Sequence, residues 1–209
     1  MDKQTKDPAC IEGPAPGGVG LVIIDMINDL DYPGADPLIA AAQAIVPTLL
    51  ALRREADQFE IPVVYVNDNF GQWHSERSRL VDHCRRPHAP ARRIVEALAP
   101  RDGDYFVIKP QFSGFYATNL QVLLPKLGVD RLVLVAQAAD ICVLFTAADA
   151  HMRDYALWAP SNAVAGEDDQ RTAWALEILK NSMNARIDPA SPGALAAWAQ
   201  RPARPFPAA

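Results

Sequence analysis

Three side chains in this 209-residue chain have the types and settings from which a nucleophilic reaction can be built. Cys142 follows Leu132-Val133-Leu134-Val135, a run that fits a buried strand. It precedes Val143, Leu144, Ala147, Ala148 and His151, which place small and apolar residues on one helical face. A thiol near the first turn of a helix feels the positive end of the dipole, which favours thiolate, and free amide N–H groups there can hold an oxyanion. Cysteine is also among the most buried residue types and packs as a small hydrophobe, so position alone leaves nucleophile and core residue both open. Asp25 closes the apolar run GVGLVII, and Lys109 closes YFVI, so each stands where a strand ends. Cys10 and Cys84 have no such setting.

The elements that position these groups alternate. Strands are predicted over Val19 to Asp25, Ile61 to Val66, Tyr105 to Ile108, Leu132 to Val135, Ala156 to Ala159 and Ala185 to Ile187. Helices are predicted over Pro37 to Phe59 (with Pro47 as a kink), Ala91 to Leu98, Ala117 to Leu127 stopped by Gly128, the stretch after Cys142, Glu167 to Asn181, and Ala194 to Ala199. The charged stretch 75–90 has no clear assignment. Such alternation implies a three-layer αβα sandwich around a central, mostly parallel six-stranded sheet. Ligands bind at the carboxyl ends of the strands in these sheets, which brings Asp25, Lys109 and Cys142 to one edge.

Half the residues are hydrophobic, enough for one α/β domain, expected over 19–188 with a flexible leader at 1–18 and a Pro/Ala-rich tail at 189–209. A net charge of −5 with scattered basic residues disfavours nucleic acid as a partner. Three cysteines do not make a disulfide framework, which points to a reducing, cytoplasmic setting. No apolar run reaches the length of a membrane span, and the leader lacks the apolar core of a signal peptide. GGVG at Gly17 to Gly20 precedes its strand, whereas a phosphate loop must follow one. A haloacid-dehalogenase-type phosphatase needs a second aspartate two residues after the first, where this chain has Ile27.

LVIIDMINDL, IPVVYVND, VIKPQFSGFYATNL and AADICVLFTAADAHMRDY, in that order, resemble the isochorismatase-like cysteine hydrolases, the superfamily that includes nicotinamidases and other amidases. The resemblance implies hydrolysis of a C–N bond in a small molecule through a thioester. Asp25 is then general base, Lys109 the cation, Cys142 the nucleophile, and the backbone N–H groups of Ala138 and Cys142 the oxyanion hole. It also implies a cis peptide at Gln137-Ala138 and a homo-oligomer, dimer or tetramer. Asn67, Asn69, Trp73, Phe112 and Phe115, with Tyr116, are the residues expected to contact substrate.

Two departures stand out. Ala136 and Ala139 replace the glycine and threonine usual before the cysteine, which keeps open a binding or scaffold protein of the same fold. Nicotinamidases carry an Asp-x-His metal element with a further His after the second strand; here Asn67-Asp68-Asn69-Phe70 stands there with His74 further on, and a single His with one carboxylate makes a poor transition-metal site, so neither metal nor other cofactor is expected. Isochorismatases cleave a vinyl ether and lack the cysteine, so Cys142 favours amide chemistry over that alternative.

Overall fold

A computed structural model describes residues 18–71 and 76–200. Five strands, β1 (Gly18–Ile24), β2 (Val63–Asp68), β3 (Tyr105–Lys109), β4 (Val129–Ala136) and β5 (Ala156–Trp158), form one sheet in the order β3-β2-β1-β4-β5. Every pairing is parallel. Side chains alternate across a strand, and β1 divides its own between two cores. Leu21 and Ile23 face one layer of helices, Val22 and Ile24 the other.

The first layer is built on α1 (Asp36–Gln58), α3 (Arg92–Leu98) and α7 (Ala194–Ala199), with α2 (Arg77–Cys84) beside α3. In α1, Leu38, Ala42, Ile45, Leu49, Leu52 and Ala56 recur at helical spacing and are all buried. Each fully buried leucine of this kind contributes about 1.5–3 kcal/mol. At 23 residues α1 is long and apolar enough to cross a bilayer by composition, but this stripe is committed to the sheet. Pro37 opens the helix, where its missing N–H leaves no bond unmade, and Pro47 lies within it.

The second layer holds α4 (Leu120–Lys126), α5 (Leu144–His151) and α6 (Asp169–Met183). Gly128 ends the α4 turn at φ 67°, and a Cβ on Gly18 would lie 2.8 Å from the Gly128 carbonyl oxygen, so this crossing of β1 and the α4–β4 turn is closed to larger residues. In α6, Asp168 caps the N-terminus by accepting from the Arg171 N–H at 2.8 Å.

Two expectations differ from the structure. The segment Ala185 to Ile187 does not form a sixth strand; it makes a single parallel bridge, Arg186 to Trp158. The charged stretch after residue 75 contains α2, whose Leu80, Val81 and Cys84 are buried while its polar side faces water. The leader residues 1–17 and the tail residues 201–209 lie outside the described residues.

Candidate active site

Each of the three reactive side chains sits at the carboxyl end of a different strand. Asp25 follows β1 in the left-handed region, φ 52°, a conformation short polar side chains tolerate better than most. The site over-determines that turn. The Asp25 N–H donates to the Val66 carbonyl at 2.9 Å, and the Gln137 amide donates to the Asp25 carbonyl at 2.7 Å. Asp25 Oδ1 accepts from the Asp68 N–H at 2.8 Å, which leaves Oδ2 to face inward.

Lys109 ends β3, two strands away from Asp25, and it is fully buried. Asp68 at the end of β2 is its register partner, so the long lysine side chain reaches past β2 to the end of β1. Its Nζ lies 2.9 Å from Asp25 Oδ2, 3.7 Å from Asp68 Oδ2 and 3.5 Å from Cys142 Sγ. A shorter or branched cation does not span that gap.

Cys142 is held by the turn that follows β4. The Gln137-Ala138 peptide is cis, as the resemblance implies. The Gln137 N–H donates to the Ile24 carbonyl at 3.2 Å, and the Ala139 N–H to the Ala165 carbonyl at 2.8 Å. Ala139–Val143 then forms a π-helical turn that opens α5, with the Val143 N–H on the Ala138 carbonyl at 3.2 Å. π-turns recur at functional sites because the wider turn re-aims a side chain. The Ala138 N–H donates to no carbonyl among the described residues.

The electrostatics correct one expectation. The helix dipole was expected to favour a Cys142 thiolate, but the thiol is pushed up to about 12 by burial and then by the Asp25 charge, with Lys109 opposing. Burial likewise raises the Asp25 carboxyl, against the pull of the Lys109 ammonium. Burial works to lower Lys109, yet its net direction is upward, chiefly through the Asp25 charge beside it, and the ammonium stays charged. The Cys142 thiol is hydrogen-bonded to the Asp25 carboxyl, with the Lys109 ammonium within reach of both.

The loop after Lys109 is fastened to α5. The Gly114 N–H donates to Thr146 Oγ1 at 2.9 Å, and Ser113 Oγ donates to Asp149 Oδ2 at 2.5 Å. A Cβ on Gly114 would meet Val66 Cγ1 at 2.8 Å. These contacts tie the strand end that carries Lys109 to the helix that carries Cys142. Sequence reading missed Thr146; a hydroxyl inside the buried stripe Val143-Thr146-Ala147-Ala150 was the available signal, because such a group needs a partner.

The expected substrate contacts fare unevenly. Asn67 is fully buried; its Oδ1 accepts from the Ile27 N–H at 3.3 Å and its Nδ2 donates to the Ile27 carbonyl at 2.5 Å, so it clamps the β1 loop instead of facing a ligand. Asn69 is 6% exposed and its Oδ1 takes the Gly71 N–H at 2.9 Å, a polar turn. Phe115 is buried at 2% exposure against Tyr155 and belongs to the second core. Phe112 is half exposed, 5.6 Å from the Phe145 ring. Tyr116 is exposed. Trp73 lies outside the described residues.

Among the described residues, the donors that follow β2 do not fit a divalent metal; His74 lies outside them. Asp68 Oδ1 accepts from the Phe70 N–H at 2.6 Å, and its Oδ2 faces the Lys109 ammonium. The amide oxygen of Asn69 is taken, and His83 on α2 instead pairs with Asp29 at 2.7 Å. A single carboxylate beside a fixed ammonium is a poor setting for a divalent cation.

Known proteins carry the same frame. The isochorismatase domain model matches residues 19–191. An uncharacterized isochorismatase family protein of Bacillus subtilis, YaaI, is 37% identical over 167 residues, 80% of this chain and 91% of that protein. The crystal structure of N-carbamoylsarcosine amidase from Thermoplasma acidophilum superposes with a TM-score of 0.62 at 27% identity, covering 82% of this chain and 96% of that one. A cysteine hydrolase from Pseudomonas syringae pv. phaseolicola superposes at 0.68 with 22% identity over 90% of this chain and 93% of that one. With a match that runs from β1 almost to α7, the chain belongs to the isochorismatase family of hydrolases.

Proposed function

We propose that this protein is a cysteine-dependent hydrolase that cleaves an amide-type C–N bond of a small molecule through a thioester. The observation that carries the reading is the buried Lys109 Nζ placed between Asp25 Oδ2 at 2.9 Å and Cys142 Sγ at 3.5 Å. A thiol hydrogen-bonded to a carboxylate is the geometry of a nucleophile beside its base. As Cys142 Sγ bonds to the substrate carbon, Asp25 takes the thiol proton. The N–H groups of Ala138 and Cys142 receive the developing oxyanion. Asp25 then gives its proton to the departing amine, the C–N bond breaks, and a thioester remains. Water, deprotonated by Asp25, hydrolyses it and releases the acid.

Lys109 keeps the carboxylate available. Burial alone raises the Asp25 carboxyl toward protonation, and the adjacent ammonium counters this. Of the expected substrate contacts, Phe112 stays exposed beside Phe145 and so is free to meet a ligand, while Asn67 and Phe115 serve the frame.

The test pairs an ammonia-release screen over small amides, ureides and carbamoyl compounds with variants. Cys142→Ala should abolish turnover with the fold intact, and Asp25→Asn and Lys109→Ala should each lose at least ~100-fold. Quenched mixtures should show an acyl mass on the Cys142 peptide. Near-normal hydrolysis by Cys142→Ala would end the thioester reading. The second reading, a scaffold without turnover, rests on Ala136 and Ala139 at the oxyanion turn; it predicts no ammonia from any compound and no electrophile adduct on Cys142.

A further inference from the structure

Gln137 puts a side-chain amide at the junction between Asp25 and the turn that leads to Cys142, and it is only 2% exposed. It is the first residue after β4, where the chain leaves the sheet. The β1–β4 register ends at the pair Ile24 and Ala136, one residue short of Asp25. The Gln137 backbone N–H donates to the Ile24 carbonyl at 3.2 Å, and its side chain then supplies the next rung, Nε2 donating to the Asp25 carbonyl at 2.7 Å. Only the nitrogen end of an amide can face a carbonyl oxygen, so chemistry fixes which way the group points. That leaves Gln137 Oε1 buried with no donor among the described residues.

A buried acceptor without a donor is costly, and a methionine or leucine of similar size would fill the same place without one. Packing therefore does not account for the amide; the work of its nitrogen does. Asp25 sits at φ 52°, a left-handed conformation that persists in a non-glycine residue only where its surroundings hold it. In that conformation Oδ1 meets the Asp68 N–H and Oδ2 meets Lys109 Nζ at 2.9 Å. Resting on the reading of Asp25 as the base for Cys142, we propose that Gln137 is a positioning residue for that base. Its side-chain amide grips the Asp25 backbone and so keeps the carboxylate on Lys109 and Cys142. Buried as it is, Gln137 meets no substrate itself and acts through Asp25.

The experiment is Gln137→Met and Gln137→Leu in the full chain, read first by iodoacetamide labelling near neutral pH. Buried Cys84, in the same molecule, reports unfolding. The Asp25 charge helps hold the Cys142 thiol up, so a carboxylate released from its place should let Cys142 label several-fold faster while Cys84 stays unlabelled. In an Asp25→Asn background the same substitutions should change the labelling no further, because the group they act through is gone. With an amide that the wild type hydrolyses, kcat should fall ~10–100-fold while KM stays within about twofold. Labelling at the wild-type rate in a folded variant overturns the proposal, and so does an equal acceleration in the Asp25→Asn background. Cys84 reacting alongside Cys142, or failure of both variants to fold, would make Gln137 a structural residue and overturn it as well. The labelling needs no substrate, so hydrolysis retained by Cys142→Ala would end the thioester reading while the role of Gln137 was still decided.

Discussion

A lysine that touches two carboxylates and a thiol decides how protons are shared among them. With the Cys142 thiol pushed up to about 12, little thiolate exists near neutrality. Iodoacetamide labelling of Cys142 should therefore climb about tenfold per pH unit well past the ordinary cysteine value of ~8.5. Asp25→Asn removes the charge that raises the thiol, so it should speed labelling at fixed pH while turnover falls. Mass mapping that found a plateau near pH 8.5, or slower labelling in Asp25→Asn, would contradict this proton arrangement. The sign for catalysis follows from the same group. In the proposed mechanism Asp25 must be a carboxylate to act, its value is raised, and activity should be present above that raised value and lost as pH falls through it. Cys84, also pushed up to about 12 and fully buried, lacks access and should label only on unfolding.

At the scale of elements, the site depends on a loop and a helix held in fixed relation. Thr146→Val keeps the volume but orphans the Gly114 N–H, which should cost about 1–3 kcal/mol in urea unfolding. Turnover should fall with it, because the Lys109 strand end loses its tie to α5; unchanged stability would mean the bond is not made. This tie also marks the border of what could be read in advance. The strand ends were legible because apolar runs that stop at Asp25 and Lys109 have one simple structural meaning, and Cys142 was legible from the strand-to-helix switch around it. The π-turn was not, since a single wide turn leaves no period in the sequence. Asn67 was misplaced because β2 runs on to Asp68 instead of stopping at Val66, which keeps the asparagine inside the strand and within reach of Ile27. Phe115 looked like a wall for the same reason any loop aromatic does; burial against Tyr155 is tertiary and has no local signature.

At the scale of the whole molecule, composition as purified reports the cation question. Asp68 faces an ammonium, Asn69 is committed to its turn, and the proposed acyl transfer by Asp25, Lys109 and Cys142 calls for no Lewis acid. Purified protein should hold no stoichiometric transition metal by elemental analysis, and EDTA should leave activity unchanged; about one zinc per chain with chelation-sensitive activity would reverse this. The strand order carries a different consequence, one of timing. β1 lies at the centre of the sheet and pairs with β4, far along the chain, so the centre of the sheet is completed only after Lys109 has been made. A polypeptide growing from its N-terminus displays its base first, its cation next and its thiol last. An unfinished chain on the ribosome therefore owns the means to take a proton long before it owns anything to take it from.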